Sequence, residues 1–143
     1  MVHEGIGSLW GRLRKISRIG SSHDEKKKDV GAKGEGLAAH FLQRRGVEIL
    51  ERNYRHGRGE IDIVARDGTT VVFVEVKTAT SNQFGSPEGW VHSRKQQQVA
   101  RIATAYLQEH RLTDVDCRFD VITVDVAKGN EINHIKNAFW IRT

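Results

Sequence analysis

Charged side chains stand two positions apart on each of two strand-like runs within residues 59–78. They are Glu60 and Asp62 on the first run, and Glu75 and Lys77 on the second. Because successive side chains of a strand point to opposite faces, each pair shares one face of its run. Like charges that face each other on a sheet are destabilising unless something cationic lies between them, and here either Lys77 or a divalent metal held by carboxylate oxygens could do so. The spacing therefore predicts a cation-binding carboxylate cluster, and the alternative is an ordinary solvated sheet face.

The dipeptide Asp67-Gly68 joins the two runs and favours a tight hairpin, because both central residues of such a turn take positive φ. With a two-residue loop, Arg66 pairs with Thr69, and Asp62 and Glu75 become diagonal neighbours about 7–8 Å apart. A register shifted by two residues would place these carboxylates directly opposite each other on the same face. Strict alternation divides the first run into two faces, namely Glu60, Asp62 and Val64 against Ile61, Ile63 and Ala65.

The length of 143 residues predicts one folded domain. The sole cysteine, Cys117, excludes an internal disulfide, and no CxxC or HExxH motif supplies zinc ligands at the usual spacing. These features favour a reducing, cytoplasmic setting.

The net charge of +5 suggests a polyanionic partner, but most of it lies near the N-terminus. Residues 1–28 contain seven Lys or Arg and three Asp or Glu, whereas residues 29–143 contain sixteen and fifteen. We expect residues 1–28 to form a basic extension, either disordered or an amphipathic helix, and residues 29–143 to form a single domain. No apolar run of the sequence is long enough to predict a transmembrane segment.

Apolar periodicity predicts the order α-β-β-β-α-β-β, an α/β (α+β) fold in which helices pack on a mixed central sheet. The first helix is expected over residues 33–45, after a linker at residues 21–29, and Gly46 would end it as a C-terminal cap. Glu35 would then lie in the first helical turn, on a face of small and apolar residues. It could stabilise the helix dipole there or join the hairpin carboxylates. The other elements are expected as strands at residues 47–55, 117–126 and 132–140 and a helix that begins at Ser93.

Basic residues flank the hairpin in the sequence. The segment Arg55–Gly59 is expected to be a flexible loop whose Arg55 and Arg58 could contact phosphates, and a plain charged turn is the alternative. Lys95 lies one turn before Val99 on the apolar stripe of the second helix. Its ammonium could therefore point toward the carboxylates or extend into solvent.

The set of Asp62, a twelve-residue interval and then Glu75-Val76-Lys77 resembles the PD-(D/E)xK nuclease signature. Glu35 on the preceding helix completes the pattern found in archaeal Holliday-junction resolvases and many restriction endonucleases. Ile61 stands where that signature has its proline. More closely, the segments G-E-G-L-A-A-H-F-L, N-Y-R, G-E-I-D-I-V-A and V-F-V-E-V-K-T are similar to the uncharacterised bacterial YraN-like family, an endonuclease-like group. The resemblance covers residues 30–140.

This resemblance implies a restriction-endonuclease-like three-layer core and a metal-dependent nuclease. Asp62, Glu75 and the Val76 backbone carbonyl would hold Mg²⁺ or Mn²⁺, Glu35 would act through a second metal or a water, and Lys77 would orient or deprotonate the attacking water. The substrate would be nucleic acid, DNA before RNA and branched or repair intermediates among them, and the resolvase likeness suggests a homodimer. Two other interpretations stay open at this point. One is a nucleic-acid-binding module of nuclease fold without cleavage, and the other is an interaction protein that docks through its basic N-terminal segment.

Overall fold

The structure, a computed structural model, describes residues 22–80 and 93–139. Its elements are α1 (Ser22–Arg44), β1 (Glu48–His56), β2 (Gly59–Asp67), β3 (Thr70–Ala79), α2 (Ser93–Glu109), β4 (Cys117–Asp125), a single 3-10 turn (Val126–Lys128) and β5 (Glu131–Ile135). The predicted α-β-β-β-α-β-β order is therefore confirmed. The chain divides into two units, Met1–Val30 and Gly31–Thr143, and the sheet with both of its apolar clusters belongs to the second. Most of the predicted basic extension, up to residue 21, lies outside the described residues.

The strands form one five-stranded mixed sheet in the order β1-β2-β3-β4-β5. Neighbouring strands are antiparallel except β3 and β4, which are parallel. Two parallel strands need a long crossover, and α2 lies between them in the chain. The strand β4 sits between β3 and β5, the interior position that its run of Val and Ile predicts.

Among residues 22–80 and 93–139, each face of the sheet carries one helix and one apolar cluster, which gives three layers. Alternation along β3 sends successive valines to opposite faces, which supplies both clusters from one strand. The cluster under α1 comprises Ala38, Ala39, Leu42, Val47, Ile63, Ala65, Val72, Val74, Ile122 and Val124. The cluster under α2 comprises Tyr54, Ile61, Val64, Val71, Phe73, Val99, Ile102, Ala103 and Tyr106.

The first helix begins earlier than its apolar period predicts. Residues 22–29, expected to belong to a linker, are helical, and α1 starts at Ser22 instead of residue 33. This stretch is rich in Lys and acidic residues and carries no apolar stripe, so periodicity could not reveal it. The expected end is close to the observed one, because the helix ends at Arg44 and Gly46, two residues later, takes a φ of 82°. Glu35 consequently lies well inside the helix, and its interpretation as a first-turn dipole cap is wrong.

Both hairpins differ in their pairing from the prediction. In the β2–β3 hairpin Asp67 pairs with Thr70, so the loop is Gly68-Thr69 and the register is shifted by two residues. Gly68 takes the first loop position with a φ of 64°, which glycine adopts without strain. In the β1–β2 hairpin His56 pairs with Gly59, so the expected flexible loop is a short turn between paired strands.

A buried acid connects β4 with β5 on the side of α1. Asp120 is fully buried and accepts hydrogen bonds from Arg118 Nε (2.9 Å), His134 Nε2 (2.7 Å) and the Asn137 N–H (3.1 Å). Burial alone would raise the pKa of Asp120, but these donors outweigh it and hold the pKa below its ordinary value. Arg118 Nη1 also lies 3.2 Å from Asp67 Oδ2, so this hydrogen-bond network reaches the end of β2.

Candidate functional site

The strand that carries Asp62 changes the phase of its alternation at that residue. Ile61 packs in the cluster under α2, whereas Ile63 packs in the cluster under α1. The prediction that they share a face is therefore wrong. Across the hairpin, Arg52 pairs with Ile63 and Tyr54 with Ile61. The residue between them, Asn53, lies opposite Asp62 and takes a left-handed φ of 54°, so the faces of both strands change at the same point while the pairing continues on either side.

The Asp62 side chain links β2 to β3 where the backbone ladder stops. The paired residues of these strands run from Asp67 and Thr70 to Ile63 and Val74. One step beyond, the Asp62 Oδ2 accepts a hydrogen bond from the Val76 N–H at 2.8 Å. Continuation of the same register places Asp62 opposite Glu75, so the shift by two residues brings the carboxylates closer than the predicted diagonal.

Asp62 and Glu75 form a close carboxylate pair with little access to water. Asp62 is 8% exposed, and the Glu75 side chain is 20% exposed. Burial, followed by the charge of Asp62, raises the pKa of Glu75 to about 7. Burial also raises the pKa of Asp62, against the hydrogen bond from Val76 and a further one with Glu75. Without metal, Glu75 therefore gives up its proton at a higher pH than an ordinary glutamate, since burial and the neighbouring like charge both disfavour its ionised form.

Two lysines supply the positive charge around this pair. Lys95 Nζ on α2 lies 3.6 Å from Glu75 Oε1, so its ammonium points toward the carboxylates while its side chain stays partly exposed. Lys77, half-buried and two residues beyond Glu75 on β3, also lowers the pKa of Glu75 by its charge. The closer cation is thus on the helix, although the sequence motif places one on the strand.

The helix carboxylate Glu35 reaches the same place from the other side of the sheet. It is half-buried, and burial followed by the charge of Asp62 raises its pKa. A side-chain hydrogen bond from Asn53 and the charge of Arg52 act in the opposite direction. The helix can approach because residue 34 is glycine, since a Cβ there would overlap the Thr78 side chain. The structure therefore places Glu35 within electrostatic reach of Asp62, which in turn adjoins Glu75.

A basic cleft of about 640 Å³ opens beside the carboxylates. Its lining includes Arg55, Arg58 and Lys95, the predicted phosphate contacts, with Glu60 and Gln98 among them. Arg55 Nε bonds Glu60 Oε2 at 3.1 Å, and both side chains remain partly exposed. Gly59 lets α2 lie against the start of β2, because a Cβ there would come within 2.7 Å of Gln98 Nε2. All three basic residues thus face one space rather than scattered surface.

The donor set fits a hydrated Mg²⁺ or Mn²⁺. In the described residues no three His, Cys, Asp or Glu side chains are already arranged as ligands of one ion. Mg²⁺ does not require such a set, because it retains several waters and takes one or two carboxylates. Asp62 and Glu75 supply that number. The Val76 carbonyl stays a prediction, since the contact that the structure shows for Val76 is made by its N–H.

Sequence reasoning missed Asn53, which contacts Glu35 and lies opposite Asp62. The available signal was an asparagine inside a strand pattern, because asparagine tolerates left-handed backbone and disfavours regular strands. Arg52, the preceding residue, was missed for the same reason, since its orientation toward α1 depends on the irregularity at residue 53.

The protein is thus a three-layer α+β domain in which a buried carboxylate pair lies at the edge of a basic cleft. The family described as "Uncharacterised protein family UPF0102" matches residues 34–124. A UPF0102 protein of Geobacter metallireducens is 50% identical over 113 residues, 78% of this chain and 93% of the relative. UPF0102 proteins of Chlorobium chlorochromatii and Alkaliphilus oremlandii are 48% and 47% identical over 120 and 115 residues, which are 79% and 78% of this chain and 92% and 98% of the relatives. The chain belongs to the UPF0102 family, as its YraN-like motifs predict. Within the described part of the chain, no helix is both long and apolar enough to cross a membrane.

Proposed function

We propose that this protein is a Mg²⁺- or Mn²⁺-dependent nuclease that hydrolyses phosphodiester bonds, with DNA as the preferred nucleic acid. The observation that supports this most directly is the Asp62–Glu75 pair, in which a buried aspartate lies opposite a mostly buried glutamate and raises its pKa. A divalent cation bound between the two carboxylates would relieve their repulsion.

The second support is the position of the basic cleft. Arg55, Arg58 and Lys95 surround a space that adjoins the carboxylates, where a nucleic-acid backbone would bring its phosphates. Lys95 already lies 3.6 Å from Glu75 and also lines the cleft, so its ammonium can neutralise either the carboxylate of Glu75 or a phosphate bound in the cleft.

The chain's own groups have separate roles in this proposal. The bound cation would supply charge neutralisation at the phosphate and a more acidic water. Asp62 is held in place by the Val76 N–H, so its second oxygen keeps a fixed direction. Lys77 shares the Glu75 face and would orient or deprotonate the attacking water, and Glu35 would accept a hydrogen bond from a further water or bind a second ion.

A cleavage panel tests the proposal. Branched, flapped, linear and single-stranded DNA and RNA would be incubated with Mg²⁺, Mn²⁺ or EDTA. We expect metal-dependent cleavage that Asp62→Asn and Lys77→Ala reduce by at least about 100-fold, whereas the exposed controls Glu131→Gln and Lys128→Ala retain it. Cleavage that survives in both site variants would contradict the assigned site.

Binding measurements separate this function from the alternatives. A preparation that binds nucleic acid and cleaves nothing would favour a binding module of nuclease fold. If the protein docks on a partner through residues 1–28, deletion of those residues should abolish its localisation and leave any cleavage activity unchanged. The predicted homodimer would be seen as a doubled mass in light scattering.

A further inference from the structure

Asn53 has a backbone conformation that is unusual for the interior of a strand. Its φ is 54°, and it lies within β1 between Arg52 and Tyr54, both of which are paired with β2. Left-handed backbone is accessible to Asn and Gly and strained for most other residues. The interruption coincides with Asp62 on the neighbouring strand, so the irregular step of β1 faces the central carboxylate of the site.

The irregular step sends the neighbours of Asn53 to opposite helices. Arg52 lies toward α1, where one guanidinium nitrogen is 4.0 Å from the position that a Cβ on Gly36 would take. Tyr54 lies toward α2, where its hydroxyl donates to Glu109 at 2.6 Å and its ring centroid lies 5.0 Å from that of Tyr106. Ordinary alternation would place both on one face, so the left-handed step connects the two helical layers at the site.

Between these two neighbours, Asn53 lies within hydrogen-bonding range of Glu35 and lowers the pKa of that carboxyl. We propose that Asn53 is a positioning residue, which holds the Glu35 carboxylate on the side of Asp62 through its side-chain amide. The inference rests on the proposed function, because Glu35 has a role at this place only if the carboxylates bind a cation. A neutral amide suits this role, since it fixes one carboxylate oxygen and leaves the negative charge of Glu35 available.

Two separate properties of Asn53 can be tested with different substitutions. Asn53→Gly keeps access to the left-handed backbone and removes the amide, Asn53→Ala removes both, and Asn53→Asp replaces the donor by a second acid. The matched control is Asn130→Gly, because Asn130 is also left-handed (φ 63°) and directly precedes β5. Each variant would be examined for Tm, and all except Asn53→Asp for Mn²⁺ affinity by calorimetry.

We expect Asn53→Gly to fold with a Tm close to wild type and to bind Mn²⁺ about tenfold more weakly, the usual effect of removing a residue that orients a ligand. Asn53→Ala should bind Mn²⁺ equally weakly and should also have a lower Tm, because alanine is strained in the left-handed conformation. Asn53→Asp also lacks the donor, and its added negative charge makes its Mn²⁺ affinity uninformative, so this variant is used for the NMR comparison. In a Glu35→Gln background, Asn53→Gly should cause no further loss, because its action passes through Glu35. Asn130→Gly should leave the affinity unchanged.

An NMR measurement tests the contact independently of metal and cleavage. The Asn53 side-chain amide signals of metal-free protein should shift in Glu35→Gln and stay in place in Glu131→Gln. Unmoved signals, or a loss of affinity that persists in the Glu35→Gln background, would overturn the positioning role while leaving the nuclease proposal intact. If no substrate is cleaved but the NMR shifts and the Mn²⁺ affinities follow the expected pattern, the nuclease proposal is overturned and the positioning role of Asn53 stands. Wild-type protein that binds no Mn²⁺ would contradict both.

Discussion

The stability of the metal-free protein should fall as pH rises, because Glu75 gives up its proton less readily in the folded chain. Its pKa is about 7 instead of the ordinary 4.5, for which burial is the main cause and the charge of Asp62 the second. The folded state therefore binds a proton that the unfolded state has lost. The contribution is complete below pH 4.5 and disappears as pH rises through about 7. At about 1.4 kcal/mol per pKa unit, the difference between pH 4.5 and pH 8.5 amounts to about 3 kcal/mol at most.

Glu75→Gln removes the titrating group and tests this linkage. In urea denaturation with EDTA, the variant and wild type should have similar free energies of unfolding at pH 5. At pH 8.5 the variant should be more stable by about 1–3 kcal/mol, and the lower limit allows for the ion pair with Lys95 that the variant loses. Saturating Mn²⁺ should reverse the order, because only wild type keeps both carboxylates to bind it.

The quantity to compare is the difference in free energy of unfolding between variant and wild type at each pH, because other groups titrate in the same range. Glu131→Gln, on the exposed start of β5, should follow wild type throughout. Curves for Glu75→Gln and wild type that stay parallel from pH 5 to pH 8.5 would refute a raised pKa for Glu75 in the folded protein.

Two further predictions concern the scaffold. Asp120→Ala should lower the free energy of unfolding by about 3–5 kcal/mol in urea denaturation, because it leaves Arg118 and His134 without their shared buried acceptor; a loss below about 1 kcal/mol would mean that the network carries little stability. Gly34→Ala should lower it by about 1–3 kcal/mol, because the new methyl group would overlap Thr78. Adding Thr78→Ala should restore part of that loss, and independent, additive effects of the two substitutions would contradict the close approach of α1 to β3.

Much of the fold could be predicted from side-chain period alone. Buried strands such as β3 and β4 contain runs of Val and Ile, and α2 has an apolar stripe, so order and layers follow from local patterns. The beginning of α1 could not be predicted in this way, because a Lys-rich helical segment without a buried face has no apolar period. Gly46 was a reliable signal since it meets a local requirement for positive φ.

The site depends on features that are not periodic. The pair of Asp62 and Glu75 was predicted on one face, but its register followed from which of Asp67, Gly68 and Thr69 occupy the loop, a small difference in turn energy. The phase change between Ile61 and Ile63 results from a left-handed residue on the neighbouring strand, and no pattern within β2 contains it. Such local departures from regular structure are expected where a strand must orient functional side chains.

The parallel pairing of β3 with β4 has a consequence for the order of folding. The strands β1, β2 and β3 are joined by short turns, whereas the chain from Ala79 to Cys117 must close before β4 can pair. Closure of a longer segment costs more entropy, so the three-stranded meander should form first and α2 with Lys95 should arrive later. Until then Asp62 and Glu75 would be hydrated and bear their full charge at little cost. In pulsed hydrogen exchange, the amides of β1 to β3 should accordingly become protected before those of β4. The repulsion between Asp62 and Glu75 would then become costly only in the last stage of folding, when both carboxylates are buried.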